Sequence, residues 1–360
     1  MSDTSAKAIN IPSLLKIGRG KTAKIGKYLY DRHYLRAALF FSEGIEPLVA
    51  EKLYGGFEEY GISITHKDTI SEINLENIVK TAFKIPTGTN VNSATNVLIG
   101  IGGGKALDYS KYCAHILKLP FISVPTSVSN DGFCSPNASL LVDGKRRSVK
   151  ATIPYGVVAD LDIIGSAPIN SFYSGLGDMV SKVTALWDWK QSFELKQEEY
   201  NDFASLISYN SIDILYAGRK ADIKYEDFLY KLTNSLVLSG VAMEIAGSSR
   251  PASGSEHLIS HALDIFGKKP GVHGLQVGVA TYLCALLQNN KAALVRDFLL
   301  DTGFVDFVSQ NPIDKADFKT ALERAPEIKL NYHTVLNLPD AKQRALDLIE
   351  SDEILKRVIK

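Results

Sequence analysis

Cysteine is scarce: Cys113, Cys134 and Cys284 are the only three, and their wide spacing supplies neither a disulfide framework nor the paired thiols of a zinc finger or redox centre. They read as small buried hydrophobes. Charge of one sign is not in excess, since Lys plus Arg equals Asp plus Glu at 40 each. That balance excludes the global field that draws a protein to nucleic acid or to an anionic membrane. No apolar run approaches the roughly 20 residues of a membrane helix, and the opening residues lack the basic and apolar regions of a signal peptide. A cytoplasmic protein is expected, with a small-molecule partner, no nucleic acid and no membrane insertion. Internal repeats and low-complexity stretches are also missing, which argues against a solenoid.

What is present is an ordinary globular composition, 45% hydrophobic and 22% charged, over 360 residues. That length exceeds what one hydrophobic core commonly serves, so two domains are expected. Residues 37–160 alternate short apolar runs with amphipathic stretches, the βαβ rhythm of a Rossmann-like parallel sheet covered by helices. Strands are predicted at 37–41, 62–65, 97–101, 120–124 and 157–160. Asp143-Gly144, between apolar runs at 138–142 and 147–151, predicts a β-hairpin, because both turn residues tolerate positive φ. Beyond about residue 166 the pattern changes to helical spacing, with helices predicted at 176–190, 194–215, 225–246 and 275–288. The expected organisation is an α/β dinucleotide-binding domain over 1–166 and an all-helical, metal-binding domain over 167–360, joined near Pro168.

Val97-Leu98-Ile99-Gly100-Ile101-Gly102-Gly103-Gly104-Lys105 is an apolar strand running into glycines that open a helix. Such a loop lets backbone N–H groups and the helix dipole approach a phosphate. It is not a kinase-type loop, which needs a hydroxyl where Ala106 stands, nor the common dinucleotide fingerprint, which needs glycine where Lys105 stands. A tight turn with no ligand is the other reading. Asp108 and Lys111 share a helical face just beyond, either as an ion pair or as groups that orient a bound cofactor or substrate.

Three of the seven histidines, His257, His261 and His273, fall close together. His257 and His261 share a helical face, and His273 opens the next helix, so two helices can converge on one point. Asp178, in Gly175-Leu176-Gly177-Asp178, reads as a carboxylate at a helix start and is the best further ligand. Imidazole and carboxylate suit zinc, with ferrous iron or nickel as alternatives, and three protein ligands leave a position for substrate. Satisfied core histidines and a capping aspartate are the bland alternative.

In Gly102-Gly103-Gly104 with Asp108 and Lys111, Pro125-Thr126-Ser127, Gly177-Asp178 and His273-Gly274, the chain resembles the iron- or zinc-dependent dehydrogenases that share the fold of dehydroquinate synthase. Residues 239–243, the run from Gly247 through His257 to Asp264, Ser129-Asn130-Asp131-Gly132 and Ala159-Asp160-Leu161-Asp162 resemble the branch that reduces dihydroxyacetone phosphate. The resemblance implies Asp178, His257 and His273 as metal ligands, His261 beside the metal as a proton relay or orienting group, and Asp131 at the substrate's hydroxyl end. It implies cofactor contacts from Gly102, Gly103, Gly104, Lys105, Asp108, Thr126, Ser127 and Ser129. Glu43 would sit near the adenosine ribose, favouring NAD(H) over NADP(H) because a carboxylate repels a 2′-phosphate. Leu275 stands where the family commonly carries glutamate.

A substrate phosphate needs donors, and Arg250 is either one of them or the partner of a carboxylate. The expected activity is nicotinamide- and metal-dependent reduction of a phosphorylated ketone by a homo-oligomer. The competing readings are a dehydrogenase of free glycerol or another small polyol, a dehydroquinate synthase-like lyase and a non-catalytic binding protein. Asp178, where the lyases carry glutamate, argues against the second of these.

Overall fold

The computed structural model describes residues 9–88, 93–218, 226–269 and 271–360. The chain forms two compact units, one reaching to Thr126 and resuming over Gly132–Ile164, the other comprising Ser127–Asp131 and Gly165–Lys360.

The first unit carries β1 (Leu14–Gly18), β2 (Arg36–Ser42), β3 (Ser63–Ile70), β4 (Val97–Gly102), β5 (Phe121–Pro125), β6 (Asn137–Val142), β7 (Lys145–Lys150) and β8 (Gly156–Asp160). Six of them form one sheet in the order β1-β8-β5-β4-β2-β3, and every pairing in it is parallel. β2, β4, β5 and β8 are buried along almost their whole length. Unbroken apolar runs are what strands covered on both faces require.

β1 was not among the predicted strands. It lies at the sheet edge, pairs only with β8 and buries little beyond Leu14, so its short segment carries no strong apolar signal. The hairpin forms as predicted: β6 and β7 pair antiparallel around Asp143 and Gly144, whose φ values are 51° and 71°.

The helix Gly104–Leu117 lies directly on β4. A β-carbon at Gly100 would meet Ser110 Oγ at 2.1 Å, so glycine is what lets strand and helix approach. The sheet order reverses between β2 and β4, with β3 on one side and β5 and β8 on the other. In open parallel sheets such a reversal leaves a crevice at the strands' carboxyl ends.

Among its described residues the second unit contains helices, turns and one isolated bridge between Ile313 and Ile359, with no strand. Two predicted helices differ from those observed. The run expected over 176–190 is two helices, Ile169–Val180 and Lys182–Glu194. At the break, Ser181 Oγ and Lys182 Nζ both donate to the Asp178 carbonyl, at 2.6 and 2.7 Å. The helix expected from 194 begins only at Asp202, because Lys196 adopts φ 55° and Asn201 Oδ1 accepts from the Ala204 N–H as a start signal. No described helix is long and apolar enough to cross a membrane.

Candidate active site

The glycine loop lies at the carboxyl end of β4, beside that of β2, where Phe41 pairs with Ile101. Gly102 has φ 148°, and a β-carbon there would meet Ser42 Oγ at 2.2 Å, so backbone and packing both demand glycine. Gly103 and Gly104 differ: a β-carbon at either would meet nothing within 4 Å. Packing gives no reason for glycine at these two positions, whereas close approach of a phosphate does. The Gly103 N–H donates to Ser42 Oγ at 3.1 Å, tying the loop to the residue before Glu43. Glu43 and Lys105 are exposed, and buried Thr126 donates its N–H to the Gly102 carbonyl at 3.0 Å.

Asp108 and Lys111 form the ion pair that is one of the two readings of their spacing. Lys111 is fully buried, 3.1 Å from Asp108 Oδ1, and donates to the carbonyls of Gly132 and Asn137 at 2.7 and 2.6 Å. Asp108 Oδ2 accepts from the Ser139 N–H at 3.0 Å. Both side chains thereby pin the start of β6 to the helix.

In the second unit, two glycines set the positions of the charged groups. A β-carbon at Gly175 would meet the Val128 carbonyl oxygen at 2.0 Å, and one at Gly177 would meet that of Gly274 at 1.9 Å. Each glycine therefore admits another backbone segment against the helix Ile169–Val180, one carrying Asp131 and the other His273. Ser174 secures both segments, its hydroxyl donating to the Ser129 carbonyl at 2.8 Å and accepting from the Gly274 N–H at 3.1 Å. Asp178 thus lies in the last turn of that helix, not at a helix start. Gly175 and Gly177 are points of close packing inside it.

Asp178, His257 and His273 come together with one potential ligand atom each inside a mutual separation of 4.8 Å. Asp178 Oδ1 is 3.4 Å from His257 Nε2 and 3.9 Å from His273 Nε2. Ligands at about 2.1 Å around a tetrahedral ion are separated by roughly 3.4 Å, so the trio needs only slight contraction to hold one.

Both imidazoles have the far nitrogen engaged. His257 Nδ1 pairs with Glu256 Oε1 at 2.8 Å, and Glu256 is itself held by the Gly254 N–H and the Thr184 hydroxyl. His273 Nδ1 lies 3.1 Å from Ser260 Oγ, which donates to Gln276 Oε1 at 2.8 Å. Since the serine proton goes to Gln276, His273 donates through Nδ1 and turns the lone pair of Nε2 toward Asp178. Such outer partners fix tautomer and ring orientation at metal sites. Burial works against charge on His257, but the Asp178 and Glu256 carboxylates outweigh it and raise the imidazole's affinity for a proton. The same field suits a divalent cation, and the donor set fits one.

His261 lies outside this trio, partly exposed, its ring centroid 5.7 Å from that of His273. Lys182 was not anticipated. It is completely buried, with Nζ 3.0 Å from Asp131 Oδ2 and 3.3 Å from Asp178 Oδ2. Ser239 Oγ also donates to Asp131 Oδ2, at 2.6 Å, and the Asp131 N–H donates to Asp178 Oδ2 at 3.1 Å. Burial raises the Asp178 carboxyl, but the Lys182 charge and the hydrogen bond from His257 hold it well below the usual carboxylate range.

Arg250 reads from the sequence either as a phosphate donor or as the partner of a carboxylate. It is 2% exposed, ion-paired with Glu198, donates to the His333 carbonyl and Ser192 hydroxyl, and its guanidinium carbon lies 3.4 Å from the Tyr332 ring centroid. The carboxylate-paired alternative describes it.

Beneath the His257 helix, buried Asp188 accepts from the N–H groups of Ser255 and Val335 and from Gln288 Nε2. Burial first, then the Glu256 charge, push its carboxyl up to about 7, with the Ser255 and Val335 donors acting the other way. An unfolded aspartate titrates near about 4. The raised group therefore favours folding fully below about pH 4, and that contribution is lost as pH rises through about 7. Asp188→Asn cannot titrate. The melting temperature of wild type minus that of the variant should fall between pH 5 and pH 8, and a constant or growing difference would refute the shift.

A Rossmann-like sheet with a glycine loop at its strand reversal, followed by a helical unit with an Asp-His-His trio, defines a metal-dependent, nicotinamide-linked dehydrogenase of dehydroquinate synthase-like fold. Residues 16–168 match the iron-containing alcohol dehydrogenase family. The solved glycerol dehydrogenase of Schizosaccharomyces pombe superposes with a TM-score of 0.76 at 18% identity, over 98% of this chain and 91% of that one, which shows the shared fold. The glycerol-1-phosphate dehydrogenase [NAD(P)+] of Methanosarcina acetivorans is 33% identical over 93% of both chains. That of Metallosphaera sedula is 35% identical over 91% of this chain and 92% of its own. The chain belongs to the glycerol-1-phosphate dehydrogenase family.

Proposed function

We propose that this protein reduces dihydroxyacetone phosphate to sn-glycerol 1-phosphate with NAD(P)H, one hydride adding to C2 and one proton to its oxygen. The observation that carries the reading is the convergence of Asp178, His257 and His273, with both imidazole Nδ1 atoms engaged elsewhere. The relatives' names supply the substrate class.

Asp178 Oδ1, His257 Nε2 and His273 Nε2 would hold a divalent metal, zinc by ligand type, and leave a coordination position open. When bound, the metal supplies Lewis acidity toward the substrate carbonyl and the nicotinamide supplies the hydride. Asp131, held by Lys182 and Ser239, accepts a hydrogen bond from a substrate hydroxyl. His261, beside the trio and partly exposed, hands a proton from solvent toward the developing alkoxide through its ring. Gly103 and Gly104 receive the cofactor pyrophosphate on backbone N–H groups, with Lys105, Thr126, Ser127 and Ser129 contributing polar contacts. Glu43, next to Ser42, accepts the ribose hydroxyls and favours NAD(H).

The test is cofactor absorbance with zinc present. NADH should be oxidised far faster with dihydroxyacetone phosphate than with dihydroxyacetone. Equal rates would make the protein a free-polyol dehydrogenase, and no change in absorbance with any ketone would refute net redox chemistry.

A further inference from the structure

Lys182 is completely buried, and lysine is almost never so unless paired. Its ammonium meets Asp131 Oδ2 at 3.0 Å, Asp178 Oδ2 at 3.3 Å and the Asp178 carbonyl at 2.7 Å, with Ser181 Oγ farther off at 3.5 Å. We infer that Lys182 is a positioning residue that withholds the Asp131 carboxylate from the metal and so keeps a coordination position open for substrate. The inference rests on the reading that Asp178, His257 and His273 hold a divalent cation.

Asp131 is the acid best placed to become a fourth ligand. Its N–H is hydrogen-bonded to Asp178 Oδ2 at 3.1 Å, and one ammonium touches both carboxylates. A divalent cation attracts a carboxylate that shares an ammonium with one of its own ligands, and carboxylate oxygen is an ordinary zinc ligand. Four protein ligands make a closed, structural type of site, whereas three leave the open position that catalysis requires.

Lys182 and the Ser239 hydroxyl hold Asp131 Oδ2 from two directions. Lys182 also occupies Asp178 Oδ2, reserving Oδ1 for the side that faces the two histidine Nε2 atoms. One ammonium thereby sets which carboxylate ligates and through which oxygen. Sequence contains a trace of this arrangement, because Asp178 and Lys182 are four residues apart.

The experiment compares zinc and cobalt(II) affinity, by chelator competition, in wild type, Lys182→Met, Asp131→Asn and the double variant. Methionine keeps much of the lysine's length without its charge. Lys182→Met should bind zinc roughly 10–100-fold more tightly, the size of effect that outer-shell changes produce, while turnover falls by at least a comparable factor. The visible spectrum of its cobalt(II) form should change, reporting the added ligand. Asp131→Asn alone should leave affinity near wild type, and adding it to Lys182→Met should cancel the gain. Lys182→Arg should keep wild-type affinity, and Lys182→Gln replaces the methionine variant should that one not fold.

A loss of buried packing cannot produce tighter binding that depends on Asp131. Unchanged or weaker affinity in the neutral variants, or a gain that survives Asp131→Asn, overturns the inference. Wild type that binds neither ion would overturn the metal reading as well, so the two failures are distinguishable.

Discussion

His273→Ala should purify without metal and without turnover, while His261→Ala keeps its metal and loses only rate. The two imidazoles are neighbours, with ring centroids 5.7 Å apart, so proximity alone does not separate their roles. What separates them is that His273 Nε2 lies 3.9 Å from Asp178 Oδ1 and its Nδ1 is engaged by Ser260, whereas His261 lies outside the convergent trio. Removing a ligand takes away the electrophile. Removing a proton relay costs roughly 10²–10⁴-fold. NAD(H) affinity should change little in either variant, because the glycine loop belongs to the other compact unit. Elemental analysis of the two purified proteins decides the matter: stoichiometric metal in the His273 variant, or none in the His261 variant, would overturn the assignment.

The elements legible in the sequence were those whose physical requirement is local. Runs such as 97–101 announce buried parallel strands because both faces must be apolar, and Asp143-Gly144 announces its turn because two positive φ values are needed. β1 was missed because an edge strand that buries little beyond one leucine imposes no such pattern. The histidines stood out as scarce residues at helical spacing.

The polar groups around them were not legible, because a buried lysine at 182, a glutamate at 256 and a serine at 260 look like solvated surface until partners distant in sequence are known. The partners of Arg250 and Asp108 were hidden for the same reason. Arg250 followed a glycine- and serine-rich stretch that suggested an anion, but Glu198 supplies the counter-charge from a remote segment. Asp108 follows the glycine loop, and the backbone of β6 that its second oxygen meets lies some thirty residues on.

Gly177→Ala tests whether the helix crossing, as distinct from the ligands themselves, builds the site. Two effects of opposite sign compete. Helix propensity alone favours alanine over glycine inside a helix by about 1 kcal/mol, and Gly177 lies within the helix Ile169–Val180. Against this, the new β-carbon would sit 1.9 Å from the Gly274 carbonyl oxygen and 3.1 Å from the Gly278 nitrogen. The obstacle is backbone, so no rotamer change relieves it, and the helix His273–Gln288 must move bodily. Overpacking typically costs about 1–3 kcal/mol even where side chains can adjust, so destabilisation should win. A net loss near 2 kcal/mol corresponds to a fall of roughly 4–8 °C in melting temperature for a unit of this size. The same displacement carries His273 away from Asp178, so metal content should fall although every ligand is intact. Gly103→Ala is the control: its φ is −85° and its β-carbon would meet nothing within 4 Å, so it should melt like wild type and retain metal. A Gly177→Ala protein that melts higher than wild type with a full complement of metal would show that propensity prevails and that the close crossing does not position the ligands.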